Sequence, residues 1–176
     1  QWIELYNPGA AIPDLTGWYL RIPGKADIPL SGSIGGGAYY LIERNNLDTS
    51  ATSDLVVAFP FLNTAGDSII LYNNTGDFID SANADGGPWP AGSRFFSYTS
   101  MERVQPYGAD IDAAWVNFFG TPTATDRLGN QINGSPGTGN SPGATSTPTF
   151  TPSPTLTSTA TQTPTVTATR TATGTR

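Results

Sequence analysis

The chain has 176 residues, no cysteine, no histidine, a single lysine and a formal net charge of -6. The missing thiols exclude a disulfide framework and a thiolate metal site, and the missing imidazoles remove the commonest general base and metal ligand. An acidic chain with one lysine offers no basic stripe to neutralise phosphates, so direct nucleic-acid binding is not expected, and no apolar run reaches membrane-spanning length.

In Trp2–Tyr6, Ile3 and Leu5 point one way while Trp2, Glu4 and Tyr6 point the other, which is the alternation of a half-buried strand. Asn7-Pro8-Gly9 ends it. Thr16-Gly17 precedes a second strand of the same kind, Trp18 to Ile22. Ile28-Pro29-Leu30 follows, and because Pro29 has no N–H to give to a ladder, this piece reads as an edge strand. Ser31 to Gly37 is rich in glycine but lacks the Lys and Ser/Thr that would end a phosphate-cradling loop, so it reads as a flexible hairpin loop. Tyr39 to Glu43 is the next strand, followed after a polar loop by Leu55 to Phe59. Ser68–Tyr72 and Phe78–Ala82, joined by Asn73-Asn74-Thr75-Gly76-Asp77, form the clearest hairpin, since Asn and Gly supply the positive φ its turn requires. Short strands with regular turn punctuation and no sustained helical period predict an all-β antiparallel sandwich.

The later residues add an ordered set of motifs. These are Asp85-Gly86-Gly87-Pro88-Trp89-Pro90, Ser100-Met101-Glu102-Arg103-Val104, Trp115 after Asp110-Ile111-Asp112, and Gly134-Ser135-Pro136-Gly137-Thr138-Gly139-Asn140. Together with Trp2–Gly9 and Leu15–Leu20, they resemble the lamin-tail domain family. That resemblance implies an immunoglobulin-like antiparallel β-sandwich over residues 1–140. It also implies one further strand upstream of Gln1, so the chain reads as a fragment that opens inside its domain and carries no signal peptide. Loss of that strand would leave an unpaired sheet edge. The stretch Phe118 to Ile132 is longer than the resemblance leads one to expect.

Residues 141–176 are a Thr/Ser/Pro-rich linker. Ordering each residue costs about 1–2 kcal/mol of backbone entropy, and Phe150, Leu156 and Val166 are too few to repay it. A disordered, locally extended tail is expected, reaching on the order of 100 Å at about 3.1 Å per residue. Such stalks are similar to the spacers of bacterial secreted and cell-surface proteins, which places the chain outside the cell or on its surface. An intracellular interdomain linker is the alternative.

Carboxylates are the only plausible catalytic material. Glu4 and Glu102 invite comparison with a glycosidase acid/base pair; the structural alternative has one of them pairing with Arg103 at a strand edge. Calcium is the one metal considered, through Asp77, Asp80, Asp85, Asp110 and Asp112, because hard cations take several loop carboxylates. No EF-hand loop or nonapeptide repeat supports it, and solvated acidic loops are the plainer reading; no other cofactor is implied. Trp89, between two prolines, is a candidate sugar-stacking ring, with core packing or loop anchoring the plainer reading, whereas Trp18 and Trp115 are expected in the core. Asn73-Asn-Thr and Asn133-Gly-Ser match the glycosylation sequon and sit in expected turns.

These readings point to a non-catalytic protein-interaction or adhesion module with an unidentified protein or cell-surface partner. The alternatives are an accessory domain of a secreted hydrolase or nuclease, or a carbohydrate-binding module resting on Trp89. A sandwich of this kind would also bind at a sheet edge by adding a strand.

Overall fold

The computed structural model describes residues 1–93, 98–105 and 108–141. All of them fall within one compact unit, Gln1–Ser146. Of the expected tail, 141–176, only Ser141 is described, and it is buried against Glu102 as part of the sandwich; the rest lies outside the described residues.

The fold is all-β and sandwich-like. Nine strands are described: β1 (Trp2–Tyr6), β2 (Tyr19–Arg21), β3 (Ile28–Pro29), β4 (Tyr39–Glu43), β5 (Leu55–Val56), β6 (Ile69–Tyr72), β7 (Phe78–Ala82), β8 (Met101–Arg103) and β9 (Trp115–Asn117). They form three sheets in the orders β1-β4-β5, β3-β2-β6-β7 and β8-β9. A single 3-10 turn, Asp112–Ala114, leads into β9. Every pairing is antiparallel except β4 with β5, where Ile42 faces Leu55 and Glu43 faces Val56 in parallel. The parallel pair is a departure from the expected pattern. Its reason is the long polar loop after Glu43, which carries the chain back alongside β4 instead of reversing it in a hairpin.

Alternation in β1 and β4 sorts the residues of the first sheet onto two faces. Ile3, Leu5, Tyr40 and Ile42 face the second sheet, where they meet Leu20, Ile22, Ile28, Ile69 and Leu71 in one apolar cluster. Trp2, Glu4 and Tyr6 lie with Tyr39, Leu41 and Glu43 on the back of the sheet. Leu41 is completely buried yet is not part of the central cluster. What covers this back face is the late chain: the Glu4 carboxylate accepts the Gly137 N–H, and Gly134 sits so close that a Cβ there would meet the Trp2 ring at 3.1 Å.

Pro29 lies on edge strand β3, as its missing donor requires. The hairpin β6-β7 turns through Asn73, whose Oδ1 accepts the N–H groups of Thr75 and Asp77, while Gly76 takes φ of 84°. The glycine-rich stretch after β3 is a correction to expectation. It is pinned, not loose, by an Asp14–Ser33 bridge, by Leu15 N–H donating to Gly32 O, and by Ile34 in the core. Gly36 is needed there because a side chain would strike Gly9 O at 2.7 Å.

Candidate functional site

Two polar centres are built into the described residues. The first surrounds Asp110. Its Oδ2 accepts from Ser81 Oγ at 2.7 Å and Ala84 N–H at 2.9 Å; its Oδ1 accepts from Trp115 Nε1 at 2.8 Å and Asn83 N–H at 3.2 Å. Burial opposes ionisation, but these four donors outweigh it and hold the carboxyl below the usual aspartate range. One side chain therefore ties the end of β7 to the turn preceding β9. Beside it, Asn83 occupies the left-handed region at φ 56°, and its Nδ2 donates to Asp67 O and Gly87 O. A cavity of about 290 Å³ opens next to this knot, lined by Asn83, Ala84, Asp85, Asp110, Ile111 and Asp112.

The five candidate calcium ligands do not converge. Asp77 is occupied by the hairpin turn through Asn73 and Thr75, and Asp80 pairs with Arg103. Asp85 caps Gly87 N–H, and Asp110 has its acceptor positions filled. Only Asp85, Asp110 and Asp112 share the cavity. Among the described residues, no group of three or more carboxylates is placed to hold a metal ion.

The second centre lies on the back of the β1-β4-β5 sheet. Glu102, 3% exposed on β8, accepts from Ser135 Oγ at 2.7 Å, Ser141 N–H at 2.8 Å and Ser141 Oγ at 2.6 Å. Glu4 accepts from Gly137 N–H at 2.5 Å. Burial pushes the Glu4 carboxyl up to about 8; the Gly137 bond works against that, and the neighbouring charges of Glu102 and Asp54 add to it. Glu43 shares this face, is 1% exposed, and its Oε1 has no partner.

Both sequence readings of Glu4 and Glu102 are corrected here. Neither pairs with Arg103, whose guanidinium binds Asp80 Oδ2 and Gly108 O and stacks over Trp115 at 5.3 Å. Nor do the two acids flank an open cleft: both oxygens of Glu102 are taken by the Ser135–Ser141 segment, which lies over them. They act as fixed acceptors that hold a loop.

Of Trp18, Trp89 and Trp115, only Trp115 departs from expectation. Trp18 packs on the central cluster as anticipated, and so does Trp89, whose Nε1 also donates to Asn63 O at 2.7 Å. Trp89 is thus the anchor of its proline-flanked loop. Trp115 lies outside that cluster, between Arg103 and Asp110. Both sequon asparagines are engaged: Asn73 Nδ2 donates to Asp77 and Asn133 Nδ2 to Tyr98 O.

One feature of β1 was legible only as a possibility. Arg44 N–H donates to Gln1 O and Asn7 N–H to Ala38 O, which fixes the phase of the antiparallel ladder with β4. By alternation, Trp2, Glu4 and Tyr6 direct their main-chain N–H and C=O away from β4. On that side no described strand pairs with β1. No helix among the described residues is long and apolar enough to cross a membrane. No protein-family model matches the chain, and no curated protein is significantly similar to it.

Proposed function

We propose that the chain is a non-catalytic, lamin-tail-like sandwich of the immunoglobulin type, exported by a bacterium and working as a protein-interaction or adhesion module on its Thr/Pro-rich stalk. The observation that carries the reading is the edge of β1 on which no described strand pairs. Five regular residues present main-chain donors and acceptors at Trp2, Glu4 and Tyr6, with no proline, lysine or bulge in the strand to block pairing. An extended peptide added there gains ladder hydrogen bonds, while side-chain pockets set its selectivity. The carboxylates support the same reading, since those that would serve catalysis are spent on holding loops.

The test uses a display library of proline-free nonapeptides panned on the immobilised full chain. Selected peptides are expected to bind the wild-type chain and to lose binding to Tyr6→Pro. That change removes an outward N–H and leaves the Leu5 and Asn7 bonds to β4 in place. Equal binding to both proteins, or hydrolysis of a polysaccharide or DNA by the chain itself, would overturn the proposal.

A further inference from the structure

The segment Ser135–Ser141 covers the back of the first sheet, where Pro136 is buried and two acids take hydrogen bonds along its length. Glu102 grips both of its ends, through Ser135 and Ser141, and Glu4 grips its middle at Gly137. Bonds from Thr138 to Ser135 O shape the loop between these points, and Asn140 Nδ2 donates to Arg103 O on β8 as a further tether. The loop has no titratable side chain of its own.

The groups packed around Glu4 are all acidic or neutral when protonated. Glu102 faces it from β8, Asp54 from the loop leading into β5, and Tyr39 from β4; Glu43 shares the same sheet face. The nearest strongly basic residue on these strands, Arg103, is turned away to Asp80. A second negative charge beside Glu102 thus has no counter-ion among the described residues, and a half-buried carboxylate without one is costly.

We propose that Ser135–Ser141 is a proton-dependent clasp, seated when the Glu4 carboxyl is neutral and loosened when that carboxyl ionises against Glu102. A neutral carboxyl still accepts the Gly137 N–H through its carbonyl oxygen, so the closed loop keeps its central hydrogen bond. With the clasp open, Glu4 meets water and returns toward its ordinary value of 4.5, whereas in the closed form burial raises it to about 8. The closed form therefore binds the proton more tightly. Its advantage is complete below about pH 4.5, shrinks as the pH rises, and has been lost by about pH 8.

Hydrogen exchange on the full chain tests this, read as protection factors so that the pH dependence of intrinsic exchange is removed. Protection of the Gly137 and Ser141 amides is expected to fall by up to about tenfold per pH unit between pH 5 and pH 8 and then to level off. Core amides such as that of Ile42 report whether the whole domain is opening instead. In Glu4→Gln, which stays neutral and keeps the acceptor, the fall should disappear; in Glu102→Gln it should become shallower. Flat protection in the wild-type chain, or an equal fall in Glu4→Gln, overturns the proposal. A carbon-13 titration of the Glu4 carboxyl in the wild-type protein gives a reading that needs no variant, and an unshifted midpoint near 4.5 would also overturn it.

Discussion

The two faces of the β1-β4-β5 sheet solve the same burial problem by opposite means. The inner face meets its partner sheet through Leu20, Ile22, Ile28, Tyr40, Ile42 and Ile69, nearly all of them apolar and fully buried. The outer face, carrying Glu4, Glu43 and Tyr39, is closed by a loop rich in serine and glycine that is pinned through carboxylates. Dispersion and the hydrophobic effect hold the first at any ordinary pH. The second combines the burial of Leu41 and Pro136 with directional hydrogen bonds, so part of its strength follows the protonation of its acids and the partners present. One layer is durable and the other is conditional.

Substitutions should separate the two. Leu20→Ala removes a side chain that lies between Ile28 and Leu71 across two strand pairs, and it is expected to cost about 2–5 kcal/mol, seen as a lower urea midpoint. Glu102→Ala strands the Ser135 and Ser141 donors and is expected to cost about 1–3 kcal/mol. Its signature should be local: exchange protection falls first at residues 135–141, whereas Leu20→Ala lowers protection throughout. If Glu102→Ala instead unfolds the whole domain as one unit, the two layers are a single cooperative structure and the contrast fails. Phe61→Ala touches neither layer. It removes an exposed ring under the Arg44 guanidinium at 3.8 Å and should cost about 0.5–1 kcal/mol. The smallest effect is expected from calcium at millimolar concentration, which should leave the melting temperature unchanged because Asp77, Asp80 and Asp110 are already engaged. A rise would mean that the Asp85–Asp112 cavity holds a cation.

The inner layer was readable from sequence because its signal is periodic. Ile3 and Leu5 alternate with polar neighbours, and Pro29 marks an edge by chemistry alone. The Asn73–Asp77 turn was equally plain, since positive φ and Asx bonding belong to particular residue types. The outer layer was not readable in that way. Serine and glycine in Ser135–Ser141 carry no period, and nothing local says that their partners are Glu4 and Glu102, far earlier in the chain. β9 was missed for a similar reason: Trp115-Val116-Asn117 is too short to alternate and becomes a strand only by pairing with β8. Asn83 was overlooked because its left-handed backbone and its bonds to Asp67 and Gly87 exist only once β7 has been placed. For Trp89 the proline neighbours left a presented ring open beside the plainer reading of a loop anchor, and the bond of its indole to Asn63 O is of the second kind.

The bonds from Ser141 to Glu102 also decide how the domain would respond to mechanical tension. Tension applied to Ser141 from its C-terminal side would load its N–H and Oγ contacts on Glu102 and the Phe119 N–H that its Oγ accepts. Ser141, Gly137 and Ser135 would be peeled off one after another, and the freed segment would pay out about 20–25 Å of slack at ordinary extended-chain length. In such a pull the Ser135–Ser141 segment would extend before β1 and β4 are loaded, because it belongs to no described strand and is tied down by individual hydrogen bonds to Glu102, Glu4 and Arg103 and by buried Pro136.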